Sequence, residues 1–420
     1  MSGEAVPAAR RLGRNLLLVG VALLGVFGLE RLLRGDAPAA DASAAEARTL
    51  ITGTATSYDQ ALARLDLEVR TDSADALARR GEWLFEEALA RALILRGKLT
   101  GNYEDFAAAK AALDRAFASA PEGTGPHLTA ATLAFSLHRL GEAERMLDAI
   151  DRYAVPPGAD EQAEIKGMRG DIALYRGDSA AALAFYREAA ALAPASADFR
   201  MAVYHSHAGR PAEADAAMLR VAATMEQPTN RARAQIALQR GMIQLANGRL
   251  DEALTRFREA DRLFPGHWLI QEHIAEILSL TGQEAEAEAI LRDVVRRTDH
   301  PEYMDAIAGL MRQRGDEGEA RRWTALARTG WDRRLTLFPE AAYGHGIDHC
   351  LDSADAACAL DLAVRNHQAR PYGEAKLKLA QALALAGRRG EAEAMLAEAE
   401  ALGWRPADIR SVRQEFAASR

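Results

Sequence analysis

The sequence predicts an all-α protein, a helix-turn-helix solenoid preceded by one transmembrane helix, and three observations carry this. Of the 420 residues 91 are alanine, while aromatic residues make up only 6%. Alanine is the strongest helix former and the smallest side chain that can sit where two helices cross closely. From about residue 124 onward alanine recurs at one fixed place in eight successive units spaced 32 to 34 or 39 residues apart. A period of that length is what stacked helical hairpins produce. Near the amino terminus, residues 15–29 read NLLLVGVALLGVFGL without a single charge.

Composition excludes several classes. A chain with 49% hydrophobic and 27% charged residues buries enough apolar surface to fold. A net charge of −8, from 52 Lys+Arg against 60 Asp+Glu, offers no surface for tracking phosphates, so no nucleic-acid partner is expected. Two cysteines, Cys350 and Cys358, exclude a disulfide scaffold and a four-cysteine zinc site; they leave one disulfide or two thiols.

Taken in chain order, residues 1–14 form a tail carrying Arg10, Arg11 and Arg14. Residues 15–33 form a transmembrane signal anchor, its apolar character resuming at Leu32 and Leu33 after the Glu30-Arg31 pair. The uncharged run is shorter than the roughly 20 residues of a spanning helix, a deficit that snorkelling ends make up. Beyond it Glu30, Arg31, Arg34 and Asp36 sum to zero, so the positive-inside rule puts the tail in the cytoplasm and the rest outside. The expectation is a single-pass protein of a bacterial-type inner membrane whose solenoid faces the periplasm. Small residues at 37–40 suit a cleaved secretory signal as the alternative, but four charges stand before them; a soluble amphipathic helix has no polar face to support it. Residues 34–50, rich in Ala, Asp and Pro, read as a flexible tether. Within 51–123 a helix is expected at about 57–70, then a long helix pair over 72–121 with Ala109, Leu113, Ala116 and Pro121 at repeat-like offsets.

The units begin at 124, 163, 195, 234, 268, 301, 340 and 373 and end near 406. The clearest carries Gly170, Gly177, Ala182, Tyr186, Ala189 and Pro194; another carries Gly241, Gly248, Ala253, Phe257, Ala260 and Pro265 at the same offsets. Position 20 is Ala143, Ala182, Ala214, Ala253, Ala287, Ala320, Ala359 and Ala392, and position 8 is small in seven units (Ala131, Gly170, Ala202, Gly241, Ala275, Ala308, Ala380) but Ile347 in the eighth. Helices A and B of a unit approach closely only if these two positions are small, and position 24 fills the space beside them. Leu147, Tyr186, Met218, Phe257, Leu291 and Leu396 serve there. Glycine near position 15 ends helix A, and proline at 32 stops helix B. Residues 407–420 close the array as a capping helix.

This pattern resembles the tetratricopeptide repeat (TPR), a helix-turn-helix unit of about 34 residues. The resemblance implies a right-handed superhelix whose A helices line a groove for a partner's peptide or helix, and no catalysis. Departures mark weaker ground: the unit from 340 has Ile347 at position 8, Ala354 in place of the turn glycine, and Ala363 at position 24. The 39-residue steps imply insertions of about five residues, one holding Tyr153 and Pro156-Pro157-Gly158, another lying between 327 and 340 with Trp331 and Phe338.

In the family, positions 2, 5, 9, 12 and 13 of helix A line the groove. Carried over, they are Leu128, Phe135, Phe199 and Val203 in early units and Glu164, Asp171, Glu272, Glu276, Glu302, Asp305, Asp348, Asp352 and Glu374 later, against one Arg312. This implies a groove apolar near its membrane-proximal end and acidic further on, suited to a basic or amphipathic segment. The groove Lys, Asn and Arg residues of TPR co-chaperones that grip acidic carboxyl termini are missing.

Catalytic signatures are absent: the chain has no Gly-rich phosphate loop, G-x-S-x-G, HExxH or CxxC. No enzyme and no cofactor is expected. His345 and His349, four apart, would share a helix face and a divalent metal with Asp348 or a cysteine as third ligand. Against this, Cys350 is rotated about 100° from His349 on a helix, so His349 equally reads as packed between helices. In an oxidising compartment Cys350 and Cys358 would form a disulfide between helices A and B. The expected function is a membrane-anchored scaffold that positions partner proteins in assembly of an envelope complex. A metal-handling protein and a regulatory subunit of an envelope enzyme are the alternatives.

Overall fold

The computed structural model describes residues 54–225, 227–404 and 407–418, which form twenty helices and no strand. The tail, anchor and tether expected over 1–50 lie outside the described residues, and no described helix is long and apolar enough to cross a membrane. In order the helices are α1 (Tyr58–Ala78), α2 (Trp83–Thr100), α3 (Tyr103–Ser119), α4 (His127–Ser136), α5 (Leu140–Ile150), α6 (Ala159–Tyr175), α7 (Ser179–Leu192), α8 (Pro194–His207), α9 (Pro211–Ala223) and α10 (Asn230–Ala246). They continue as α11 (Leu250–Leu263), α12 (Trp268–Leu280), α13 (Glu284–Thr298), α14 (Pro301–Gln313), α15 (Glu317–Leu337), α16 (Pro339–Asp352), α17 (Ala356–Ala369), α18 (Gly373–Leu385), α19 (Arg389–Ala401) and α20 (Ala407–Ala418). From α4 to α19 the even-numbered members are the A helices and the odd-numbered the B helices, each packed most heavily on its hairpin partner.

The small positions are where the hairpins close. All eight position-20 alanines are at most 1% exposed. Position 8 is matched in size to position 24: a Cβ added at Gly170 would stand 2.5 Å from Tyr186 Cε1, and one at Gly241 would stand 2.5 Å from Phe257 Cε1. An aromatic at 24 therefore demands glycine at 8, whereas Leu147, Leu291 and Leu396 accept Ala131, Ala275 and Ala380. The irregular unit keeps this rule with the sizes exchanged, since Ile347 and Ala363 are both fully buried. The turn rule also persists. Position 15 is left-handed at Gly177 (φ 82°) and Gly248 (φ 74°) and equally at His138 (φ 59°) and Ala354 (φ 56°), which carry a side chain there.

Two local expectations change. The first helix runs to Ala78 rather than 70 and breaks at Gly81 (φ 90°), so the pair predicted over 72–121 is α2 with α3. Pro194 and Pro339 do not simply stop a B helix; each opens the next A helix from its first turn, where proline costs no hydrogen bond. The insertion between 327 and 340 is helical and extends α15 to 21 residues, which brings Trp331 under α14. At the carboxyl end, Ile409 and Val412 of α20 bury themselves against the cluster containing Trp404 and Leu396, as expected of a cap.

The solenoid coils back on itself. The Tyr58 amide donates to the Pro265 carbonyl at 3.0 Å, Trp268 Nε1 to the Leu99 carbonyl at 2.8 Å, and His300 Nε2 meets the Thr100 carbonyl at 2.8 Å. Further along, Tyr175 and Tyr372 meet edge to face with centroids 4.8 Å apart, and His207 stacks on Trp404 at 4.1 Å. These partners lie 169 to 207 residues apart in the chain. One core cluster accordingly joins Tyr58, Leu65 and Leu99 to side chains from 234 to 320.

Candidate functional site on the A helices

Because successive turns touch, the face made by the A helices is walled in, and its acids meet cations. Arg200 of α8 reaches back to α6, donating through Nε to Asp171 at 2.9 Å and through Nη2 to Glu164 at 2.8 Å. Tyr186 also donates to Asp171, at 2.9 Å. Lys378 of α18 reaches back to Asp348 of α16. His349 of α16 reaches back to Asp305 of α14, Nδ1 to Oδ1 at 2.8 Å, while Trp331 donates to the other oxygen at 2.8 Å. Glu302 is held by Arg334 at 2.7 Å.

A register underlies the first two of these pairs. Arg200 and Lys378 both stand at position 6 of their units, and each answers an acid at position 9 of the unit before, Asp171 and Asp348. A long base one residue off the groove positions spans one repeat. Positions 2, 5, 9, 12 and 13 do not include Arg200, Lys376 or Lys378, nor Arg334 of α15 and Arg370 just after α17. The groove expected to be apolar near its membrane-proximal end and acidic further on is thereby corrected in its acidic part: Asp171, Asp305 and Asp348 are buried in ion pairs or hydrogen bonds, with Arg200 and Lys378 buried beside two of them. Isolated buried carboxylates would cost several kcal/mol each, on the order of the desolvation of one ion. Glu164, Glu302, Asp352 and Glu374 stay partly accessible, as does Leu128, while Phe135, Phe199 and Val203 are buried in the core.

Aromatic rings and cations interleave where the turns meet. The Arg370 guanidinium lies 5.6 Å from the centroids of both Tyr175 and Tyr372, and Arg334 lies 5.0 Å from Tyr103 and 5.4 Å from Trp331. Burial pulls the Lys98 ammonium down to about 8 against the pull of Glu164. Burial alone would raise Glu302, but Arg334, His300 and His345 outweigh it and hold the carboxyl down at about 2. Burial, with Arg370 and His345 nearby, keeps His138 neutral.

Among the other predicted residues, Cys350 and Cys358 are joined as a disulfide linking α16 to α17, with Cα atoms 5.7 Å apart. Among the described residues no third metal ligand converges on His345 and His349: the cysteines are bonded to each other and Asp348 is held by Lys378. His345 Nδ1 is 3.9 Å from Asp348, and His349 Nδ1 is committed to Asp305.

One group differs from all of these. Glu272, His273 and Glu276 of α12 are buried together, with His273 Nδ1 3.3 Å from Oε2 of each carboxylate. Burial first and the neighbouring Glu276 and Glu302 next push the Glu272 carboxyl well up. The groove register expected from the sequence places both glutamates on an open face and gives no role to His273.

The tetratricopeptide-repeat family models match residues 163–196 and 244–310. No curated protein matches the chain. Similar solved structures include Pseudomonas aeruginosa PilF, with 22% identity, 51% of this chain and 95% of that one covered, and TM-score 0.35. Yeast Tom70 is 14% identical over 86% of this chain and 88% of its own, with TM-score 0.41. A thermophilic TPR protein of Thermus thermophilus is 21% identical over 43% of this chain and 98% of its own, with TM-score 0.34. The chain is thus an all-α repeat solenoid in which tetratricopeptide repeats are detected at 163–196 and 244–310, a scaffold type suited to binding other proteins.

Proposed function

We propose that the chain is a membrane-tethered scaffold whose solenoid, on the outer side of a cytoplasmic membrane, binds a basic or amphipathic segment of a partner protein in assembly of an envelope complex. The observation that carries the binding side is that Leu128, Asp352 and Glu374 stay partly accessible on that face, whereas Asp171, Asp305 and Asp348 are buried. A segment with alternating basic and apolar residues complements that set. Two features support the location. Residues 15–29 carry no charge, with Arg10, Arg11 and Arg14 before them and charges that sum to zero after them, and the Cys350–Cys358 disulfide belongs in an oxidising compartment.

The test replaces accessible acids, because Asp305→Lys would break the bonds to His349 and Trp331 and unfold the unit. Membranes are cross-linked through wild type and through Asp352→Lys with Glu374→Lys, after circular dichroism has confirmed equal helicity. Loss of a specific partner in the variant supports the reading. An unchanged set of partners refutes the binding face, and an export reporter fused after residue 60 that is active only in the cytoplasm refutes the location.

A further inference from the structure

We infer that Glu272, His273 and Glu276 form a buried site for one divalent transition-metal ion of the zinc class. Their ligand atoms all lie within 4.8 Å of one another. The His273 Nδ1 to Oε2 distances are both 3.3 Å, to Glu272 and to Glu276. A tetrahedral ion with ligands at about 2.0–2.1 Å has an edge of about 3.3 Å between neighbouring ligands, so the two spacings from His273 match edges of a coordination shell. Mixed imidazole and carboxylate ligands suit zinc better than calcium or magnesium, which take oxygen alone.

Two independent observations point to a cation here. Glu272 and His273 are 0% exposed, and neither carboxylate oxygen of Glu272 has a hydrogen-bond partner. His273 Nδ1 bears one proton at most and already meets Glu276. The opposite ring nitrogen also lacks a partner, so the polar contacts of the ring are those with the two carboxylates. The second observation is the register. Asp171 and Asp348, at position 9, are each answered by a long base at position 6 of the next unit; Glu276 stands at the same position 9, and position 6 of its next unit is Ala306. Glu302, a further charge beside Glu272, is an acid already held by Arg334. A dication would balance Glu272 and Glu276 with His273 neutral, and three protein ligands leave the fourth tetrahedral position to water. Since the group is sealed inside α12 and its neighbours, the ion enters as the chain folds and leaves only on local opening.

The full chain is refolded with zinc chloride, gel-filtered and analysed for metal, and its melting temperature is measured before and after prolonged chelation. The expected result is about one zinc per chain, slow loss to the chelator and a lower melting temperature afterwards. Glu272→Gln and Glu276→Gln, nearly isosteric, should drop retained zinc to background, while His345→Ala with His349→Ala keeps it. Absence of zinc from the wild type, or zinc that survives both Gln variants, overturns the site. Should either Gln variant not fold, anomalous diffraction at the zinc edge on wild-type crystals decides: a peak between the three side chains supports the site, and a peak elsewhere or none overturns it.

Discussion

Size matching between positions 8 and 24 predicts a mutation whose effect changes sign with its background. In Gly241→Ala the new Cβ would stand 2.5 Å from Phe257 Cε1 and 2.6 Å from Cδ1, where ordinary contact is 3.4–4 Å. Phe257 is fully buried, so the ring must move by about 1 Å into packed neighbours, and such overpacking costs about 1–3 kcal/mol. Replacing glycine inside a helix returns about 1 kcal/mol, leaving a net loss of about 1 kcal/mol. With Phe257→Leu already present the unit has the Ala–Leu pairing of Ala275 with Leu291, the clash disappears, and Gly241→Ala should stabilise by about 1 kcal/mol. The coupling is then about 2 kcal/mol. Because repeat arrays open unit by unit, it should be read from hydrogen exchange of the α10 and α11 amides rather than from one global melt. An effect of the same sign and size in both backgrounds would refute the size rule.

Other positions give sharper or cruder tests. Ala354→Gly should stabilise the hairpin of α16 and α17 by about 1 kcal/mol, because alanine is held left-handed there at φ 56°; no gain in local exchange protection would count against strain. Arg200→Met leaves Asp171 buried without its cation and should cost about 3–5 kcal/mol in urea unfolding, with a loss below about 1 kcal/mol contradicting the pairing. Burial, opposed by Lys378 and helped by Asp352 and Glu374, pushes the Asp348 carboxyl up to about 7. A raised carboxyl binds its proton more tightly folded than unfolded, so this group makes the chain less stable as pH rises from about 4 through 7, and Asp348→Asn removes that slope; identical pH profiles for the two chains would refute it. Trp268→Phe with His300→Ala removes two side-chain bonds between turns and should raise the radius of gyration in X-ray scattering, whereas an unchanged radius would mean these bonds do not hold the coil closed.

Local repetition was legible because it depends on near neighbours in the chain. The eight alanines at position 20 and the left-handed turn at position 15 follow from helix geometry within one hairpin, and each of the eight units shows them. Even the irregular unit from 340 was visible as irregular, though not as an exchange of sizes between Ile347 and Ala363. The candidate site was legible only by halves. Helix-face arithmetic found Asp171, Asp305, Asp348, Glu272 and Glu276, and His349 as a residue packed between helices, but not Arg200 and Lys378, because a long Arg or Lys side chain reaches a full repeat and its head need not lie above its own Cα.

What the sequence alone determined is the hairpin: its helices and its small and large positions. What only the tertiary structure decided is the charge of the inner face. Turns nearly two hundred residues apart touch through Leu99 with Trp268, Thr100 with His300, and Tyr175 with Tyr372. That contact excludes water from much of the A-helix face, and in a dry interior an acid must be paired, protonated or bound to a cation. Asp171 and Asp348 meet the first condition with Arg200 and Lys378, whereas Glu272 and Glu276 share only the His273 ring between them.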